Sequence, residues 1–303
     1  MADPFVFKYI PKEFSEIVGV NTAPFQKMVE DPQSMPSILL YGPKGTGKTS
    51  IARILVKKLE PVSVLKINGS SERGIDTIRD KIEMFVSSAS SVPGKPKIVW
   101  IEEMDNFSLD AFKAMRNLIE KYMKNSRFIG TANYIQKIPE EIQSRFTLYE
   151  FKKHTSKDVL PRARQICDLE QIRISDSVLL KLIDSCNGDI RSVVKNLQKL
   201  SFEGEEITEQ KVLNMRTLTD IVYEKLFDGD WSYLRMEIPK ENPDYTDLLV
   251  SLNDKFFESK LTVERKAKIT DIISEALFKY AFSFDKDILA SATFFKIIKT
   301  LRE

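Results

Sequence analysis

The stretch that decides the fold is Leu39-Leu40-Tyr41-Gly42-Pro43-Lys44-Gly45-Thr46-Gly47-Lys48-Thr49, which contains the pattern G-x-x-x-x-G-K-T in full. Its glycines let consecutive backbone N–H groups turn toward phosphate oxygens. Lys48 reaches the outer phosphates, and the Thr49 hydroxyl can bind Mg²⁺. The residues expected to surround the phosphates are Gly42, Pro43, Lys44, Gly45, Thr46, Gly47, Lys48, Thr49 and Ser50.

The residues on either side of this loop supply the context that the motif requires. Apolar Ile38, Leu39 and Leu40 predict a strand before it, and residues 50–59 predict a helix after it. The N-terminal dipole of that helix would point at a bound anion. A glycine-rich loop without function would seldom combine a strand, a lysine, a hydroxyl and a helix, so we expect a nucleotide-binding α/β domain.

Length and composition limit the remaining possibilities. The chain has 303 residues, which suits two or three domains. The 46 Lys and Arg nearly balance the 44 Asp and Glu, so any nucleic-acid surface must be a local patch. Two cysteines and one histidine cannot form a Cys/His zinc site. No apolar run has membrane-spanning length and the N-terminus lacks a signal-peptide pattern, so we expect a cytoplasmic protein without membrane contact.

A pair of acids follows the third predicted strand, residues 97–101. Glu102 and Glu103 come directly after its apolar run. In open α/β sheets ligands bind at the carboxyl ends of the strands. One acid of such a pair, here Glu102, can hold Mg²⁺ through water, and the next, Glu103, can polarise the attacking water. The alternative is an ordinary solvated turn, which the upstream phosphate loop disfavours.

Strand and helix patterns divide the chain. Further strands are predicted at 62–67, 127–132 and 146–151, and their alternation with helices, one of them at 75–88, implies a parallel sheet. From Ser156 the patterns are helical, at 156–170, 175–186 and 189–202, and Pro239 and Pro243 interrupt the later helices. We therefore predict an α/β domain at 1–152, a helical lid at 153–215 and an all-α domain at 216–303.

In order and spacing these landmarks resemble the clamp-loader ATPases of the AAA+ class, which include the replication factor C small subunits and the large clamp-loader subunit of T4-like phages. The resemblance covers about Phe7 to Leu197. It rests on the matching segments Lys8-Tyr9-Ile10-Pro11, Ile17-Val18-Gly19, Asn68 to Arg79, Met115-Arg116, Glu120-Lys121-Tyr122, Thr131-Ala132-Asn133-Tyr134, Ile142-Gln143-Ser144-Arg145 and Gly188-Asp189-Ile190-Arg191.

The resemblance implies roles for individual residues. Tyr9, Pro11, Val18 and Gly19 would belong to an arm that binds adenine. Taken alone, the residues of the arm favour a role of its aromatics as core anchors over a role in ligand binding, because buried apolar residues mostly serve packing. Asn133 would contact the γ-phosphate, Arg191 would reach it from the lid, and Arg145 of the Ser-Arg box would reach a neighbour's ATP. Arg79 and Lys81 would face the DNA backbone, and residues 88–93 would face the clamp.

The family fold adds an α-helical collar that joins subunits in a ring, expected to be a pentamer. The implied function is an ATP- and Mg²⁺-dependent subunit that opens a sliding clamp, loads it onto primer–template DNA and releases both after hydrolysis. The short length and the residues that diverge from the family's motifs favour a phage origin, which would place the protein in the host cytoplasm.

Four positions depart from the family pattern. Glu102 stands in place of aspartate, Lys44 in place of proline, Ile10 in place of arginine and Phe146 in place of cysteine. Because Glu102 is a methylene longer than aspartate, a nucleotide-binding scaffold with little turnover is a competing hypothesis. An AAA+ branch-migration helicase or remodeller is another, although the Ser-Arg box and the Arg73-Gly74-Ile75-Asp76 segment disfavour it.

Overall fold

A computed structural model of the chain describes residues 3–59, 62–88, 95–202, 204, 206–213, 217–280 and 282–303, with the backbone alone at Thr77, Arg79 and Leu213. The chain forms two compact units, Met1–Val212 and Leu213–Glu303. Each unit is described by itself.

The first unit is built on a five-stranded parallel sheet. Its strands are β1 (Ile38–Tyr41), β2 (Val64–Asn68), β3 (Lys97–Glu102), β4 (Ser126–Ala132) and β5 (Thr147–Glu150). Their order is β2-β3-β4-β1-β5, and every neighbouring pair is parallel. The predicted parallel sheet is confirmed. Since β1 and β4 pair Tyr41 with Ala132, the loops that follow these two strands emerge side by side.

Helices cover both faces of this sheet. After α1 (Phe5–Lys8), which buries no residue, the helices that follow in this region are α2 (Ala23–Glu30), α3 (Lys48–Lys58), a π-helix (Thr77–Glu83) continued by α4 (Met84–Ser87), α5 (Leu109–Tyr122) and α6 (Glu140–Gln143). Side chains alternate across the strands: Leu40 packs with α2 and α3, and Leu39 packs with α5. The result is a helix–sheet–helix sandwich with an apolar core on each face of the sheet.

Strand bounds differ slightly from the predicted ones. β2 runs from Val64 to Asn68 rather than over 62–67, and β5 begins at Thr147. Phe146 precedes it in the turn after α6, where its N–H donates to Gln143 O at 3.0 Å. A turn bond of this kind withdraws the residue from the β ladder.

Three further helices of the first unit match the predicted lid. They are α7 (Ser156–Leu169), α8 (Asp176–Ser185) and α9 (Ile190–Ser201), followed by α10 (Glu209–Leu213). Asp189 caps α9 as expected, because its carboxylate accepts from Arg191 N at 2.9 Å. These helices and the sheet belong to the same compact unit. A separate lid domain at 153–215 stays a prediction.

The second unit is helical throughout its described residues. It contains α11 (Leu218–Asp228), α12 (Trp231–Met236), α13 (Tyr245–Glu258), α14 (Val263–Tyr280) and α15 (Lys286–Arg302). A short 3₁₀ turn, Ile238–Glu241, separates α12 from α13 and includes Pro239. No helix among the described residues is both long and apolar enough to cross a membrane.

Candidate nucleotide-binding site

The phosphate loop joins β1 to α3 and places the N-terminus of α3 at its end. Gly42, Gly45 and Gly47 adopt φ values of +137°, +75° and +93°. A Cβ on Gly42 would lie 2.0 Å from Phe151 O, and one on Gly45 would lie 1.9 Å from Asp189 Oδ1. Both the backbone conformation and the close approach therefore require glycine at these positions.

Lys48 is buried at the base of this loop. Its Nζ donates to Gly42 O at 2.7 Å and to Pro43 O at 2.6 Å. Burial lowers the pKa of Lys48 to about 8, although Asp105 opposes that shift and Arg191 adds to it. The ammonium thus sits in a desolvated position where an anionic ligand would stabilise its charge.

A cleft of about 550 Å³ opens above the loop. Many of the predicted residues line it: Tyr9, Pro11 and Val18 of the arm, Lys44, Gly45, Thr46, Gly47, Lys48, Thr49 and Ser50 of the loop and α3, and Glu103, Asn133 and Arg191. Gly19, Gly42, Pro43, Glu102 and Arg145 are not among the lining residues. Arg53, His154 and Arg162 line the cleft without having been singled out from the sequence.

Glu103 lies at the carboxyl end of β3 in the left-handed region, with φ +52°. Its backbone N–H donates to Thr131 Oγ1 at 3.2 Å, and its Oε2 accepts from Ser70 Oγ and from Asn106 Nδ2 at 3.2 Å. An uncommon backbone conformation for a non-glycine residue persists only where surrounding contacts hold it. These contacts fix the carboxylate at the cleft wall.

Glu102, the last residue of β3, is held in another way. Its Oε2 lies 2.9 Å from Lys66 Nζ, and Lys66 also sits 4.3 Å from the centroid of the Trp100 ring. Lys66 is on β2, which pairs with β3. The carboxylate expected to help hold Mg²⁺ is thus neutralised by a lysine, whereas the hydroxyl-bearing Thr49 lines the cleft.

Asp105 is a site residue that the sequence reasoning left without a role. It is buried, and its Oδ2 accepts from Asn133 N at 3.2 Å and from Tyr134 N at 3.1 Å. Its Oδ1 has no hydrogen-bond partner among the described residues. Asp105 therefore anchors the loop that carries Asn133. Its place two residues after the acidic pair was the signal that could have found it.

The lid contributes the opposite wall of the cleft. Asp189 both caps α9 and lies against Gly45, so the start of α9 is placed beside the phosphate loop. Arg191, in the first turn of α9, lines the cleft. His154 is buried between Gly19, whose Cβ would lie 2.6 Å from His154 Nδ1, and Gly188 of the lid. Burial lowers the pKa of His154.

The N-terminal arm closes the cleft on its outer side. Oε1 of Glu170, the residue that follows α7, accepts from Lys8 Nζ at 2.6 Å and from Tyr9 OH. Arg162, on α7, lies with its Nη2 3.1 Å from Glu16 Oε1. The front of the arm is thus bonded to the lid by two sets of polar contacts.

The remaining predicted residues lie outside the cleft or outside the described part. Arg145 pairs with Glu120 on α5. Lys81 lies on the π-helix with its Nζ 2.5 Å from Glu72 Oε2. The side chain of Arg79 and residues 89–93 of the expected clamp-facing segment are outside the described residues.

Comparison with known proteins identifies the family of this fold and site. The family model described as ATPase family associated with various cellular activities (AAA) matches residues 38–153. Replication factor C small subunit 2 of Pyrobaculum arsenaticum is 38% identical over 219 residues, covering 70% of this chain and 68% of that protein. The chain belongs to the replication factor C small-subunit family of AAA ATPases.

The family likeness extends into the second unit. Replication factor C small subunit of Staphylothermus marinus is 31% identical over 303 residues, covering 94% of this chain and 91% of that protein. Among solved structures, the RuvB Holliday junction branch migration motor of Thermotoga maritima superposes with a TM-score of 0.58 at 14% identity, covering 72% of this chain and 80% of that one. That identity establishes the shared AAA+ fold alone, and with the sheet and lid it confirms the predicted fold class.

Proposed function

We propose that this chain is the ATP-driven subunit of a sliding-clamp loader, which opens the DNA polymerase clamp and loads it onto primer–template DNA, with hydrolysis triggering release. The observation that carries the proposal is the convergence of the phosphate loop, Glu103, Asn133 and Arg191 on one cleft in a replication factor C family chain. The loop and the three side chains belong to different elements of the fold, and folding brings them together at one cleft.

The cleft suits a nucleoside triphosphate. The N-terminus of α3 and the Lys48 ammonium supply positive potential for phosphates, and Tyr9, Pro11 and Val18, beside Gly19, offer an apolar wall for a base. Thr49 would hold Mg²⁺, with Glu102 as the acid that the motif provides. Bound Mg²⁺ would neutralise charge on the phosphate oxygens as it develops.

The chemistry requires little covalent work from the protein. Glu103 is proposed to polarise the attacking water, and its bonds with Ser70 and Asn106 hold its carboxylate in place. Asn133, positioned through Asp105, would contact the γ-phosphate, and Arg191 would contribute charge from the lid. A fixed set of donors stabilises the transition state without reorganising during the reaction.

Arg145 is proposed to act on the ATP of a neighbouring subunit. It lies outside the cleft of its own chain, where Lys48 and Arg191 already supply charge. The ring that this requires, expected to be a pentamer, would be joined through the collar. In the second unit large aromatic side chains are exposed, among them Phe257, Phe278, Phe282 and Phe284, and such surfaces are typical of protein interfaces.

DNA and clamp contacts belong to the same proposal. Arg79 and Lys81, on the π-helix, would meet phosphates of the DNA backbone, and residues 88–93 would face the clamp. The Lys81 side chain is 55% exposed and forms an ion pair with Glu72. Phosphate contacts of this kind position a duplex without reading its sequence.

A scaffold that binds ATP with little turnover is the second candidate function. The observation that favours it is the pairing of Glu102 with Lys66, because a neutralised carboxylate is a weaker partner for Mg²⁺. A branch-migration helicase has only the fold likeness to RuvB in its favour.

The test is ATP hydrolysis with and without primed DNA and the cognate clamp. The loader predicts strong joint stimulation, loss of nucleotide binding in Lys48→Ala, and retained binding without turnover in Glu103→Gln. An absence of turnover under every condition, with nucleotide binding intact, would establish the scaffold instead.

A further inference from the structure

Two ion pairs connect α5 to the segment that carries Arg145. Arg116 Nη1 lies 2.5 Å from Glu141 Oε2, and Arg145 Nη2 bonds Glu120 Oε1. Both members on α5 are four residues apart, as are both members on the other segment, and the signs are reversed between the pairs. The two pairs therefore resemble rungs of a ladder, and the second rung includes the proposed trans-acting arginine.

The hydrogen bonds of Arg145 use up most of its donors. A guanidinium has five N–H groups. Nη1 donates to Glu141 O and to Ser144 Oγ at 3.4 Å, Nη2 donates to Glu120, and Nε is buried without a partner among the described residues. One N–H of Nη2 remains. In this arrangement Nη2 has one N–H group left for a phosphate, and release of Glu120 would give it both.

Of these contacts, the bond with Glu120 is the one that can be exchanged. The Glu120 side chain is 54% exposed and that of Arg145 is 25% exposed, so water competes with the pair and makes it weak. The bond to Glu141 O, by contrast, involves backbone at the start of α6. Glu120 is ionised at neutral pH, since the hydrogen bond from Arg145 lowers its pKa.

We propose that Glu120 is an intramolecular partner that Arg145 exchanges for the terminal phosphate of nucleotide bound to a neighbouring subunit. In the isolated chain the carboxylate offsets the charge of the arginine and occupies one N–H group of Nη2, which its release would make available to the neighbour's phosphate. The inference rests on the proposed function, because it requires Arg145 to act across a subunit interface. Glu120 is then a positioning residue that opposes engagement, and its removal favours the engaged state.

The experiment compares Glu120→Gln with a matched control, Glu141→Gln. The control breaks the neighbouring rung between the same two elements and leaves the backbone carbonyl that Arg145 uses. ATP hydrolysis per subunit is measured against the concentration of this chain. We expect Glu120→Gln to reach its half-maximal rate at a concentration about two- to fivefold lower, the range for an exposed ion pair, with the maximal rate unchanged. Glu141→Gln and Glu120→Asp should follow the parent.

Three results would overturn the inference: a parental or higher half-maximal concentration for Glu120→Gln, a lower maximal rate, or the same shift in Glu141→Gln. The double variant Glu120→Gln/Arg145→Ala should match Arg145→Ala, because without the arginine the carboxylate has nothing to hold back. The single variant Arg145→Ala tests the trans role of Arg145 independently of Glu120. If it keeps the parental rate at all concentrations, the trans role of Arg145 fails, whatever Glu120 does.

Discussion

Lys66 Nζ lies 2.9 Å from Glu102 Oε2, across the paired strands β2 and β3. The chain thus places a cation against the acid that the motif assigns to Mg²⁺. We predict that Lys66→Met lowers the Mg²⁺ concentration for half-maximal ATP hydrolysis, because the released carboxylate is free to take part in the metal site. A Mg²⁺ titration measures this. In a Glu102→Gln background the same lysine substitution should have no effect, and an equal effect there would mean that Lys66 acts elsewhere.

A second prediction concerns the partners of Glu103. Ser70→Ala removes one of the two side-chain donors that hold the carboxylate, whereas Asn106 remains. We expect the maximal hydrolysis rate to fall while the affinity for nucleotide stays parental, because the role proposed for Glu103 is to polarise water rather than to bind nucleotide. Single-turnover kinetics with a parallel nucleotide titration separate the two quantities. Ser71→Ala is the control, because the Ser71 hydroxyl donates to Asn68 O rather than to Glu103. An altered affinity with an unaltered rate would contradict the assignment.

The lowered pKa of Lys48 leads us to expect that nucleotide binding depends on pH. This pKa is about 8, so the free protein loses the charge of Lys48 as the pH rises through 8. ATP affinity should be constant below pH 8 and fall above it by up to about tenfold per pH unit. Titrations from pH 7 to 10 check this. Lys48→Arg keeps its charge throughout and should show no such fall. The same slope in both proteins would assign the pH dependence to another group.

Replacing Asp105 should shift the pH dependence of ATP affinity. Its carboxylate favours the charged form of Lys48, so Asp105→Asn removes a favourable charge and lowers the pKa of Lys48 further. The fall in ATP affinity should then begin at a lower pH than in the parent. Because an asparagine can still accept from Asn133 N and Tyr134 N, the loop position should survive. An unchanged profile would show that Asp105 anchors the loop without affecting Lys48.

His154 is the only histidine of the chain, so its NMR resonance can be followed without ambiguity. Burial lowers its pKa below the ordinary value of 6.5. A histidine with a lowered folded-state pKa contributes its stability above pH 6.5 and loses it as the pH falls, at up to about 1.4 kcal/mol per pH unit. Thermal unfolding of His154→Gln should therefore depend less on pH than the parent between pH 6.5 and 5. Equal dependence would place the acid-sensitive group among the carboxylates.

Local signals in the sequence were enough for the phosphate loop, the strands and the lid helices, because each depends on residues a few positions apart. The capping of α9 by Asp189 is an example. The sequence could also show that two acids end β3. It could not show that Glu103 turns into the cleft at φ +52° while Glu102 pairs with Lys66, because that depends on the backbone turn and on which strand lies beside β3.

Contacts between distant segments were out of reach for the same physical reason. Asp105 follows β3 and Asn133 follows β4. The two residues meet only because the carboxyl ends of these neighbouring parallel strands lie at the same edge of the sheet. The bond between Tyr9 and Glu170 joins residues separated by 161 positions. Neither pair has a periodicity or a motif spacing that would mark it, so a single sequence carries no local trace of either contact.

The N-terminal arm is bonded to both walls of the cleft. Lys8 and Tyr9 are bonded to Glu170, the residue after α7, and Glu16 is bonded to Arg162 on α7. Between these contacts Glu13 lies 2.6 Å from Lys58 on α3. Only three residues separate Tyr9 from Glu13, and the ring of Pro11 restricts one of them, so these two anchors can lie at most about 14 Å apart, Cα to Cα, at full extension. We expect the arm to act as a tether, so that an outward tilt of the lid would stop when the tether is taut unless the bonds to Glu170 and Arg162 break. We therefore expect the arm to affect the residence time of a bound nucleotide more than the affinity of the loop for phosphate.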